Sequence, residues 1–87
     1  MPTASDVAKW MVAQIQAHGE LYQDQAFHDI EQMFGPEFAY VNDRGSLSID
    51  AAVLRAFNKL TPDIVWSRTY RYWRRREPGD DPGRMQY

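Results

Sequence analysis

No cysteine occurs in the chain, which excludes a disulfide scaffold, a Cys-ligated zinc finger, an iron–sulfur site and thiol catalysis. Long apolar runs are missing as well. Stretches such as Trp10-Met11-Val12 extend only a few residues, so no membrane span is predicted. The start, Met1 to Asp6, has neither the basic region nor the apolar core of a signal peptide. These absences point to a cytoplasmic domain of bacterial type. Glycine is sparse: five residues stand singly, and none opens a helix in a Walker or dinucleotide pattern. There is no Gly-x-Ser-x-Gly, and Ser5, Ser46, Ser48 and Ser67 fall at predicted caps and strands rather than beside a histidine. No catalytic residue, metal or cofactor is therefore assigned.

What is present is a chain of 87 residues, 44% hydrophobic, with 14% aromatics that include three tryptophans. That is one small domain, too rich in core-forming side chains to be disordered throughout. The formal net charge of −2 conceals an asymmetry. Residues 1–50 hold two basic and eight acidic side chains, a net −6, while residues 51–87 hold eight basic and four acidic, a net +4. An acidic half joined to a basic half points to a partner or to self-association.

Periodicity and punctuation predict the elements. Thr3 or Ser5 can cap a first helix over 4–18, whose inner side reads Val7, Trp10, Met11, Ile15 and His18, and Gly19 ends it. Glu20-Leu21-Tyr22 reads as a short extended piece. Asp24 can cap a second helix over 24–34, stopped by Gly35-Pro36. A β-hairpin near 38–49 turns at Asn42-Asp43-Arg44-Gly45. Asp50 caps a third helix over 50–61, with Val53, Leu54, Phe57 and Leu60 facing inward. Ile64-Val65-Trp66 reads as a short strand. Over 67–76 propensity favours strand, but Trp66, Tyr70 and Trp73 stand at i, i+4 and i+7 with Arg68, Arg71 and Arg75 opposite, so the period predicts a fourth helix. The expected architecture is a small helix-rich α+β domain over residues 1–77, with three to four helices plus a hairpin. It is winged-helix-like by analogy only, followed by an extended tail over 78–87.

The stretch from Leu47-Ser48-Ile49-Asp50 through Val53-Leu54, Phe57, Leu60 and Val65-Trp66 to Trp73-Arg74-Arg75-Arg76-Glu77-Pro78 and Asp81-Pro82-Gly83-Arg84 resembles a small uncharacterised bacterial family. Such families are carried on mobile elements such as integron gene cassettes. The resemblance implies a stand-alone cytoplasmic domain and brings no assigned activity or site residues.

The basic cluster is the strongest functional signal. Seven Lys or Arg lie between Arg55 and Arg76 against Asp63 alone, and six of them are Arg. Arginine's planar fork meets phosphate and carboxylate equally well. The candidate binding residues are Arg55, Asn58 and Lys59 on the third helix, with Arg68, Arg71 and Arg75 beyond it. Trp66, Tyr70 and Trp73 form a candidate core or interface stripe. Asp80 and Asp81 can fold back onto Arg74–Arg76. The leading reading is a non-enzymatic protein–protein interaction module, a homo-oligomer (dimer) or the partner of another protein. Nucleic-acid binding through the Arg-rich segment 55–76 is the alternative, opposed by a sequence pI near 5.5. A second alternative is a metal-assisted site at Asp24, His28 and Glu31, which share a helix flank.

Overall fold

A computed structural model describes residues 2–86. Helix α1 (Ala4–His18) starts on a capping box: the Asp6 amide donates to Thr3 Oγ1 at 3.2 Å and the Thr3 amide donates to Asp6 Oδ2 at 2.9 Å. The Thr3 amide foremost, and the Thr3 side chain after it, hold the Asp6 carboxyl below its ordinary value. Gly19, at φ 82°, ends the helix with an amide bond to the Ile15 carbonyl. His18 is exposed rather than part of the apolar side, and lines a hollow with Glu20 and Asp24, whereas Ile15 in the same turn is buried.

Strand β1 (Glu20–Tyr22) leads directly into α2 (Gln23–Phe34). The N-cap is Tyr22, whose side chain makes no capping bond, so Asp24 is not the cap expected of it. It lies inside the first turn, where a negative charge suits the helix dipole. The hairpin of β2 (Ala39–Val41) and β3 (Leu47–Ile49) is held by Asn42, whose Oδ1 accepts the amides of Arg44 at 2.9 Å and Ser46 at 3.0 Å. Helix α3 (Ala51–Leu60) is capped by Asp50, which accepts the Ala52 amide at 3.1 Å. Val53 and Phe57 are fully buried, Leu54 is half-buried, and Leu60 points outward at 46% exposure.

The predicted helix over 67–76 is not formed. Strand β4 (Ile64–Ser67) turns at residues 68–71 into β5 (Tyr72–Arg75), and the two pair antiparallel with Trp66 opposite Trp73 and Ser67 opposite Tyr72. The spacing that imitated a helical face is the symmetry of a hairpin about its turn. Trp66 and Trp73 meet across the strands, ring centroids 4.7 Å apart, and Tyr70 sits in the turn at 68% exposure. Aromatic and β-branched propensity prevails over period here. No glycine marks the turn; Arg71 takes the left-handed position, φ 55°, and its amide donates to the Ser67 carbonyl at 2.9 Å.

Strand β6 (Met85–Gln86) completes a sheet of order β1-β5-β4-β6, antiparallel except for the parallel β4–β6 pair. Residues 79–86 thus turn back onto the sheet. Asp80 takes both terminal nitrogens of Arg74, at 2.7 and 2.9 Å, and accepts the Glu77 amide at 2.7 Å. Arg76 donates to the carbonyls of Asp81 and Gly83. The Arg84 guanidinium reaches the end of α3 and donates to the carbonyls of Asn58 at 3.0 Å, Thr61 at 2.7 Å and Ile64 at 3.0 Å. A cation there satisfies carbonyls that a helix terminus leaves open.

Helices α1 and α3 pack together over one side of this sheet, where Leu21, Trp66 and Trp73 project as register partners. Phe57 of α3 meets Trp73 edge-on at 5.4 Å. On the opposite side Tyr22 stacks on Tyr72 at 4.9 Å, and fully buried Val65 shares that side with Arg74. The architecture is small α+β, with three helices and two sheets among the described residues. The β2–β3 hairpin lies between α2 and α3 rather than after α3, and this placement, with the four-stranded sheet, departs from a winged helix. Among the described residues, no helix is long and apolar enough to cross a membrane.

Candidate interaction surface

The hairpin turn decides where the candidate residues lie. It sets Trp66 and Trp73 beside α3 and leaves Arg68 and Arg71 at the tip. Two adjoining hollows result, of about 340 and 360 Å³, which share Gln23 and Trp66. The larger part of the first is apolar: Leu54 from α3, the two indoles, and Met85, which is 55% exposed. Asn58 and Arg84 supply its polar wall. The second opens between Ser46, Arg68 and Arg71. One groove therefore runs from an apolar floor to a cationic mouth.

Five of the nine candidate residues line that groove: Asn58, Trp66, Arg68, Arg71 and Trp73. The others go elsewhere. Arg55 and Lys59 are exposed on α3 and line neither hollow. Tyr70 lies edge-on to Tyr72 at 6.3 Å. Arg75 is at the far end of β5, its guanidinium 3.4 Å from the Gln16 carbonyl, beside a separate hollow that also holds Leu60, Asp63 and Arg76. The run of arginines is dispersed because alternate strand residues point to opposite faces.

Several of its members are also committed within the chain. Arg74 and Asp80 form a two-bonded ion pair; the guanidinium holds the Asp80 carboxyl down to about 2, and the carboxylate raises Arg74 above its ordinary value. Burial lowers the Arg84 guanidinium, with the nearby Arg76 charge adding to the effect.

The acidic half makes a surface of its own. Glu20, Asp24 and Asp29 line a hollow of about 620 Å³ with His18, Gln25 and Tyr22. Asp29 accepts both of its bonds there from Gln25, at 3.1 Å. This hollow takes Asp24 away from the metal constellation considered above. His28 and Glu31 lie exposed outside it, with His28 edge-on to Phe27 at 5.8 Å, so the three do not converge. Among the described residues, no three His, Asp or Glu side chains are placed to hold a metal ion.

The acidic hollow and the cationic groove meet at one step of the chain. Tyr22 lines the first and Gln23 the second. The Gln23 amide donates to the Arg71 carbonyl at 2.9 Å, which ties the start of α2 to the arginine turn. Sequence reasoning missed Gln23, Ser46, Leu54 as a groove residue, Met85 and Arg84. Met85 and Arg84 reach the groove through the parallel β6 pairing, which no local pattern announces.

Comparison with known families supports membership of an uncharacterised family and says nothing of a bacterial or mobile-element type. Residues 3–75 match DUF6953, a family of unknown function. The chain belongs to that family. The match runs from the α1 cap to the last residue of β5. The Arg74 clamp is thus split: Arg74 lies within the DUF6953 match, while Asp80, Arg84 and β6 lie beyond it. No curated protein and no solved structure matches the chain.

Proposed function

We propose that this DUF6953 chain is a non-enzymatic protein-interaction module, cytoplasmic and of bacterial, mobile-element type as its resemblance implies. Its contact surface is the groove over Trp66 and Trp73, with Arg68 and Arg71 at the mouth. The observation that carries the reading is the meeting of an apolar floor with two cationic side chains in one groove. An apolar side chain flanked by carboxylates fits both parts: the anchor displaces water from the indoles, and the acids meet the arginines. A protein partner suits this surface better than a nucleic acid. A phosphate backbone needs a track of cations, whereas Arg74, Arg76 and Arg84 bind the chain's own acceptors and Arg75 lies at the opposite end of the sheet.

Titration of the full chain with the peptide acetyl-Asp-Glu-Leu-Phe-amide, read by tryptophan emission, tests the reading. The expected result is a saturable change that weakens with salt and is at least about tenfold weaker for the Asn/Gln version of the peptide. No saturable change at millimolar peptide, or equal response to the two peptides, overturns it.

A further inference from the structure

We propose that the partner seated in this groove is a second copy of the chain, presenting its own acidic hollow. The inference rests on the reading of the groove as a recognition surface and adds the identity of its occupant.

Three observations lead there. First, each copy carries both halves of a complementary pair: Arg68 and Arg71 on one side, Glu20 and Asp24 on the other. Second, the two patches are joined through consecutive residues, Tyr22 lining the acidic hollow and Gln23 the arginine mouth. A two-fold axis passing near that step lays the acids of each copy on the arginines of the other, so one contact satisfies both patches twice. An isologous contact of this kind closes on itself, as most symmetric dimers do. Third, the step is flanked by large side chains left open to solvent: Tyr22 at 48% and Tyr70 at 68% exposure. Tyrosine is favoured at the centre of interfaces, where its ring is buried and its hydroxyl finds a partner. Glu20 and Asp24 from the acidic half and Arg68 and Arg71 from the basic half thus flank one step of the chain.

Sedimentation velocity of the full chain from 10 to 200 µM, at low and high salt, tests the inference with a charge-reversal cycle. The expected result is a dimer whose dissociation constant rises about tenfold between 50 and 500 mM salt. Asp24→Arg and Arg71→Glu each weaken it by about tenfold or more, and the double variant recovers to within about threefold of the parent. The milder Asp24→Asn and Arg71→Gln, with circular dichroism on every variant, separate loss of contact from loss of fold. A chain that stays monomeric at 200 µM, or a dimer indifferent to all these changes, overturns the inference. In the monomeric case a positive acidic-peptide titration leaves the groove reading standing with a different partner; failure of the peptide as well removes both.

Discussion

Replacing Arg71 with glycine separates what this residue does for the fold from what it does on the surface. Its backbone occupies the left-handed region, φ 55°, at the close of the β4–β5 turn. A side chain there crowds the following carbonyl at a cost of about 1–2 kcal/mol, which glycine does not incur. Both backbone bonds that pin the residue, its amide to Ser67 and its carbonyl from Gln23, survive the change. Against the relief stands the greater freedom of glycine in the unfolded chain, about 0.4–1 kcal/mol. The balance is a gain of about 0.5–1 kcal/mol, which for a domain of this size raises Tm by roughly 2–8 °C. Thermal and urea unfolding followed by circular dichroism read it directly. Binding of the acidic peptide, and self-association, fall in the same variant because the guanidinium is gone. Arg71→Ala keeps the strain and loses the charge, so it weakens binding without the stability gain. A glycine variant destabilised by more than about 1 kcal/mol refutes the reasoning, because the arginine side chain is then holding the turn together rather than facing a partner.

Arg84→Ala removes three bonds from a charged donor, two to carbonyls at the end of α3 and one to Ile64 at the start of β4, and is expected to destabilise the chain by about 2–3 kcal/mol, measured by urea unfolding. The Asp80 carboxyl, held to about 2, gives docking of the C-terminal segment a defined acid dependence. Its contribution is fully present above the ordinary carboxylate value near 4 and is lost as pH falls through about 2, so amide exchange over 77–86 accelerates in that window. Asp80→Asn abolishes this dependence and leaves exchange in α1 unchanged.

Legibility in the sequence followed the range of the interactions. The bounds of α1 and α3 were readable because their caps are local: Thr3 with Asp6, Gly19, and Asp50 lie next to the turns they terminate. The β2–β3 hairpin announced itself through Asn42 and Gly45. The β4–β5 hairpin did not, since its left-handed position carries arginine where a glycine signal is usual, and its paired tryptophans sit seven residues apart, as on a helix. Clustering of charge along the chain was visible, but strand alternation and the Arg74–Asp80 and Arg84 contacts decided which arginines face outward. Those contacts span up to 26 residues and leave no trace in a local window.

The four-stranded sheet ends on β1, three residues long, and β6, two residues long. Such stubs offer a passing strand hardly any ladder to extend. Two copies of this chain therefore have little opportunity to join by adding strand to strand, which is the route by which small sheets grow into fibres. In the dimer proposed above, growth by side-chain contact about a single axis would stop at a pair, so rising concentration would fill dimers rather than seed polymer.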